Sequence, residues 1–244
     1  MKYIEKKIQN EPQSLRTYRD TTEGATYAGY VDKDISTGED APLKRALLKE
    51  QGGLCAYCMG PISLEIKDGK PQIEIEHYLS QEKHPTMSLQ YSNLLAVCNG
   101  KSITYPELEQ VHHCDKTKGE KGKMNGKVGL KKLSPTKKNC EDLLTYTRDG
   151  FIRAKNEKDL DLVSDLEEVL NLNNSFLLKA RRLAMDNVIE LLKKEKPEQD
   201  WNLTFLEKHV DRLESPKKDG KFRTYCMAAV WLIQNMISKP KYNR

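Results

Sequence analysis

The chain has 244 residues, a formal net charge of +5, 37% hydrophobic residues and 32% charged residues. That length suffices for one ample core or two small domains. No apolar run of signal length opens the chain and no 18-residue apolar stretch occurs, so neither secretion nor membrane insertion is indicated, and the six cysteines are expected in a reducing cytoplasm, where thiolates bind metal more often than they pair.

The first 39 residues are polar, with breaks at Glu23-Gly24-Ala25-Thr26 and Thr37-Gly38-Glu39-Asp40, and they read as an extended arm. Asp40 is placed to cap a helix over 41–51, with Pro42 in its first turn and Gly52-Gly53 ending it. This helix delivers Cys55-x-x-Cys58, a tight turn able to present two thiolates to Zn²⁺ at about 2.3 Å each. A second pair is needed. Cys98, after the apolar run Leu94-Leu95-Ala96-Val97, and Cys114, after a 15-residue excursion, supply it. His113 is the reserve ligand. A redox pair at Cys55 and Cys58 is the competing reading, and four cysteines with a loop between them argue against it.

Between the cysteine pairs, Lys67-Asp68-Gly69-Lys70 signals a hairpin, and residues 70–78 alternate apolar and polar in a strand period. Glu74 and Glu76 then share one face, with Ile75 and His77 on the other. Tyr91-Ser92-Asn93 has the polar character of a turn entering the next element. From Lys116 to Lys138 nine lysines stand against one acid, Glu120, punctuated by four glycines and Pro135. That run reads as a flexible basic loop suited to a polyphosphate, with Lys116, Lys118, Lys121 and Lys123 as candidate nucleic-acid contacts. It lacks interleaved aromatics, so no stacking platform for single-stranded bases is expected.

After Gly150 the period becomes helical. Leu162, Val163, Leu166, Val169 and Leu170 form one stripe, and Leu177, Ala180, Ala184, Val188 and Leu191 a second that Lys196-Pro197 stops. Further helices are expected over 202–213 and 221–238. The last is apolar on nearly every face, which predicts burial in a helical bundle or against another protein. Cys140 and Cys226 read as ordinary thiols.

Taken together, Glu76-His77, Asn93, and Asp115 within Cys114-Asp115-Lys116-Thr117-Lys118-Gly119 resemble the HNH endonucleases, over about a quarter of the chain. More narrowly, Met1-Lys2-Tyr3-Ile4, Tyr91-x-Asn93-Leu94, Cys98-Asn99-Gly100 and His113-Cys114-Asp115 resemble the PtuB-like HNH subunits of Septu-type and retron-associated anti-phage systems. The resemblance implies an α+β protein: a zinc-stapled ββα-metal nuclease core at 40–150, between the arm at 1–39 and an all-helical region at 151–244. It implies a cytoplasmic endonuclease acting on phosphodiester bonds, with a PtuA-like ATPase as partner and a retron reverse transcriptase with its non-coding RNA/DNA as further company. The arm or the C-terminal helices would dock the ATPase.

In that frame His77 is the general base, a role worth about 10²- to 10⁴-fold. Glu76 and Asp115 hold a catalytic Mg²⁺ or Mn²⁺. Asn93, whose amide does not titrate, positions the His77 loop. Cys55, Cys58, Cys98 and Cys114 hold the structural zinc. The chain departs from the family in carrying Glu where many members carry Asp, which leaves Glu74 as a rival ligand, and in having Leu79 where a proline often follows the histidine by two residues. DNA is the favoured substrate. A ribonuclease acting on structured RNA such as tRNA, and a non-catalytic zinc-stabilised nucleic-acid-binding adaptor, are the alternatives.

Overall fold

A computed structural model describes residues 1–32, 41–67, 70–100, 111–119 and 129–242. The elements mix helices with three two-stranded antiparallel sheets, an α+β arrangement. In chain order they are α1 (Gln13–Thr21), α2 (Tyr27–Asp32), α3 (Pro42–Glu50), β1 (Ile66–Lys67), β2 (Lys70–Pro71), β3 (Glu74–His77), β4 (Leu94–Val97), α4 (115–119), β5 (Leu144–Tyr146), β6 (Ile152–Ala154), α5 (Leu160–Ser164), α6 (Ser175–Glu195), α7 (Leu203–Glu214) and α8 (Cys226–Ile237).

The amino-terminal segment corrects the expectation of an extended arm. Residues 1–32 pack through α1 and α2, with Met1, Ile4, Leu15, Tyr18 and Tyr30 in the main apolar cluster. The Ile4 amide donates to the Pro135 carbonyl at 2.8 Å. The segment's charges mislead because they are paired in the folded chain. Buried Glu11 accepts from Arg16 and Arg19, and Lys6 donates to Glu50 Oε2 at 2.6 Å while lying over the Tyr91 ring. The break at Thr37-Gly38 and the Asp40 cap fall outside the described residues.

Helix α3 buries Leu43 and Leu47 on one face, begins with Pro42 in its first turn, and stops where Gly52 (φ +58°) and Gly53 (φ +77°) take left-handed backbone. A side chain at Gly52 would collide with Phe222, so glycine both ends the helix and admits the carboxyl-terminal segment. The Phe222 amide donates to the Gly52 carbonyl at 2.9 Å and the Tyr225 amide to the Met59 carbonyl at 3.1 Å. These bonds hold residues 222–225 along the cysteine turn, with Tyr225 in left-handed backbone (φ +55°). Helix α8 therefore starts at Cys226, five residues later than its apolar pattern suggests.

Beyond residue 150 the helical stripes appear as α5, which continues as a π-helical stretch Asp165–Val169, and as α6. The side chain of Asn174 caps α6 by accepting from the Leu177 amide. The β5–β6 hairpin, at the junction of the two expected regions, is an element the sequence reading did not contain. Its Gly150 turn (φ +89°) leaves no room for a Cβ against the Leu178 carbonyl, and Arg181, wholly buried, donates to the Gly150 and Leu172 carbonyls. Helix α8 buries Cys226, Ala228, Ala229, Val230, Leu232 and Ile233 against α6 and α7, as a core helix. The apolar cluster is continuous across residue 150: Leu162, Leu177 and Tyr225 belong to the same core as Leu43, Leu94 and Ile152. Among the described residues no helix is long and apolar enough to cross a membrane.

Candidate active site and metal centre

Four sulfurs from three parts of the chain meet beside the β3–β4 hairpin. Cys55 and Cys58 come from the turn after α3, Cys98 follows β4, and Cys114 precedes α4; their ligand atoms all lie within 4.8 Å of one another. The turn is closed by the Met59 amide donating to the Cys55 carbonyl (3.1 Å) and the Cys55 amide to the Gly60 carbonyl (2.8 Å). Met59, next to Cys58, and Cys114 itself adopt positive φ.

The separations fit a tetrahedral ion. With metal–sulfur bonds of about 2.3 Å, the edge of the tetrahedron is about 3.8 Å. Cys58 and Cys98 are 3.8 Å apart, and Cys55 and Cys114 3.9 Å. Burial opposes ionisation of Cys55, yet hydrogen bonds with the sulfurs of Cys114, Cys58 and Cys98 outweigh it and hold this thiol well below its ordinary range. None of the four is in a disulfide, so this donor set suits zinc. His113 stands at the margin, its Nδ1 3.2 Å from Cys114 Sγ and its ring stacked on Phe176. Burial lowers its pKa to about 4, keeping the imidazole neutral. Cys140 and Cys226 lie outside the cluster.

On β3, Glu76 pairs in register with Leu95, and His77 with Leu94. Glu76 is buried, and its Oε1 accepts from the Tyr57 hydroxyl at 2.8 Å and from the Lys118 ammonium. Asp115, the first residue of α4, is a neighbouring acid that acts on this carboxyl. Burial first, then Asp115, raises the Glu76 pKa to about 8, against the opposing pull of Lys118. A buried carboxyl with a second acid beside it could hold a divalent cation, which would supply the compensating positive charge. Glu74 lies two residues earlier, half-buried opposite Val97.

The His77 ring is fixed on three sides. Nε2 lies 2.9 Å from the Ser88 carbonyl, which can only accept, so the ring proton sits on Nε2 and the lone pair on Nδ1. Nδ1 receives the Gln81 amide at 3.3 Å, and Tyr27 packs edge-on at 4.4 Å between centroids. Burial lowers the His77 pKa, favouring the neutral form.

Asn93 spans the connection between β3 and β4. Its Oδ1 accepts from the Leu79 amide, its Nδ2 donates to the Leu79 and Met87 carbonyls, and its own carbonyl accepts from Tyr78. Every one of these bonds ties residues 78–87 to the start of β4.

The lysines divide. Lys116 is exposed, as a phosphate contact requires, but Lys118 is buried and turned inward onto Glu76, contrary to its reading as a solvent-facing contact. Lys121 and Lys123 fall outside the described residues. Sequence reasoning missed Tyr57, Gln81 and Tyr27. The one available signal was an aromatic residue inside the Cys-x-x-Cys turn.

Against this geometry stand three relatives. Over 171 residues the chain is 31% identical to the provisionally named HNH endonuclease of retron Ec83 from Escherichia coli, covering 57% of this chain and 63% of that protein. It is 25% identical over 181 residues to the Septu protein PtuB of Bacillus thuringiensis, covering 66% of each. It is 26% identical over 149 residues to the provisionally named HNH endonuclease of retron Vc95 from Vibrio cholerae, covering 59% of this chain and 63% of that protein. The chain thus spans just under two thirds of the length of these curated relatives. No protein-family model matches it. By sequence the chain is similar to HNH endonucleases. It is similar to PtuB as well.

Proposed function

We propose that the chain is a divalent-metal-dependent HNH endonuclease, the hydrolytic effector of an anti-phage complex, with DNA as the favoured substrate. The observation that carries this reading is buried Glu76, with Asp115 as its acidic neighbour, next in chain to a histidine whose Nδ1 lone pair is the basic one. The order of strand β3, strand β4 and helix α4, stapled by four cysteines, supports a ββα-metal core as the frame.

In this mechanism His77 Nδ1 takes the proton of the attacking water, after Gln81 yields its hydrogen bond. The Nε2–H bond to Ser88 keeps the ring oriented and disperses the positive charge it acquires. Asn93 keeps the His77 loop in place without exchanging protons. Glu76 and Asp115 would hold Mg²⁺ or Mn²⁺, which when bound neutralises charge developing on the phosphate oxygens. The thiolate site would hold Zn²⁺ in a purely structural role. Lys116 and the basic residues after it would meet the phosphate backbone.

The names of the relatives motivate the setting: retron and Septu defence, with a PtuA-like ATPase and, in a retron, a reverse transcriptase and its nucleic acid. Because α8 is spent on the core, the ATPase would dock elsewhere on the chain. Incubating the protein, with and without its partner, with plasmid DNA and with tRNA in Mg²⁺ or Mn²⁺ tests the proposal. Metal-dependent cleavage that His77→Ala abolishes, with an unchanged circular dichroism spectrum, is expected. A His77→Ala protein that cuts as well as the parent overturns it, and cleavage of tRNA alone would move the substrate to RNA.

A further inference from the structure

We propose that Tyr57, inside the cysteine turn, is a positioning residue for Glu76, and that its hydroxyl ties the geometry of the cation site to the integrity of the thiolate cluster. The inference rests on the function proposed above and goes beyond it, since it gives the cluster a direct hold on the catalytic carboxylate.

Tyr57 is 1% exposed, and its hydroxyl donates to Glu76 Oε1 at 2.8 Å. Its ring cannot swing away without moving the backbone that carries Cys55 and Cys58. That backbone is pinned by the Met59-to-Cys55 and Cys55-to-Gly60 bonds and by the Ala56 amide donating to Ala96 of β4 at 3.1 Å. A second arm reaches the same oxygen. Lys118 lies one helical turn after Cys114, its amide donating to the Cys114 carbonyl at 3.2 Å, and its ammonium also takes Glu76 Oε1.

Both groups that grip Glu76 are thus rooted at cysteine positions, one at the first pair and one at the last. With Oε1 held twice, rotation of the carboxylate about its final bond is blocked and the direction of its second oxygen is fixed before any cation arrives. Groups that orient a ligand in this way commonly govern metal affinity by about 10- to 100-fold. A tyrosine kept merely to fill the core would need only its ring. The oxygen is the informative atom.

The test compares the parent, Tyr57→Phe and Glu76→Gln, each zinc-loaded and at full length, by titrating Mn²⁺ and reading the free ion by electron paramagnetic resonance. Zinc content and circular dichroism are measured alongside. Tyr57→Phe is expected to keep its zinc and its fold, to bind Mn²⁺ about 10-fold more weakly, and to shift the Mn²⁺ activation curve of cleavage by the same factor while the KM for nucleic acid stays constant. Loss of zinc from Tyr57→Phe would make the residue structural and overturn the inference. Glu76-dependent Mn²⁺ uptake in the parent that Tyr57→Phe leaves within about twofold overturns the inference alone. A parent that takes up no Mn²⁺, or whose uptake survives Glu76→Gln, overturns the proposed function and this inference with it.

Discussion

Asn93 and Leu79 exchange two hydrogen bonds: the Leu79 amide donates to Asn93 Oδ1 at 2.8 Å, and Asn93 Nδ2 donates to the Leu79 carbonyl at 3.0 Å. A third bond from Nδ2 reaches Met87 at 3.1 Å. Net contributions of about 1 kcal/mol per bond make Asn93→Ala roughly 2–3 kcal/mol less stable. Because the loop also carries the contacts of His77, cleavage is expected to fall about 100-fold or more at temperatures where the variant is still folded. A urea titration paired with a cleavage assay checks both, and a variant equally destabilised but fully active would show that the loop does not position the histidine.

The four-thiolate site makes metal content a stability variable. The purified protein is expected to carry about one zinc per chain, to lose cooperative thermal unfolding when a strong chelator strips it, and to regain it on zinc addition. Cys58→Ser should lower zinc content and melting temperature together. Cys140→Ser, outside the cluster, should change neither by much. Elemental analysis with differential scanning calorimetry measures the pair.

Lys116 faces solvent beside the site, and each phosphate contact contributes about −0.9 to the slope of log affinity against log salt on duplex DNA. Lys116→Ala is therefore expected to flatten that slope by roughly 0.9. Fluorescence anisotropy across a salt series reads it, and an unchanged slope would remove Lys116 from the interface.

His209, buried in α7 with its Nε2 3.3 Å from Glu195 Oε2 and its ring against Phe205, has its pKa lowered by burial, with Glu195 pulling the other way. A folded-state value below the unfolded one means that the unfolded chain binds the proton more readily. This contribution is complete above the ordinary histidine range near pH 6.5 and is lost as pH falls through that range toward the lower folded value. The urea midpoint of the parent should drop between pH 7.5 and 5.5, and His209→Gln should show a smaller drop. An equal drop in both would place the acid sensitivity elsewhere.

The parts of the site that were legible in the sequence are those whose chemistry is local. Two thiols per turn, an acid beside a histidine at a strand end, and a polar turn before an apolar strand each declare themselves in a few adjacent residues. The clasp on Glu76 does not, because Tyr57 and Lys118 approach it from 19 residues before and 42 after, and only the folded hairpin brings them together. Lys118 read as solvated for the same reason: nothing nearby in sequence marks it as having an inward partner. The amino-terminal segment looked too polar to pack, since the pairing of Lys6 with Glu50 is invisible until residues before α1 lie against α3, and that of Glu11 with Arg19 until α1 has formed. The β5–β6 hairpin was hidden by its size, with three residues per strand, too few for an alternation to stand out.

The excursion after Cys98 begins and ends at one place. The His113 amide donates to the Gly100 carbonyl at 3.2 Å, and the cysteines on either side belong to one cluster. Gly100 and His113 are thus held together twice, by a backbone bond and by the sulfurs that flank them. Chelation would therefore do more than empty a metal site: it would leave a single backbone hydrogen bond to keep those two anchor points side by side.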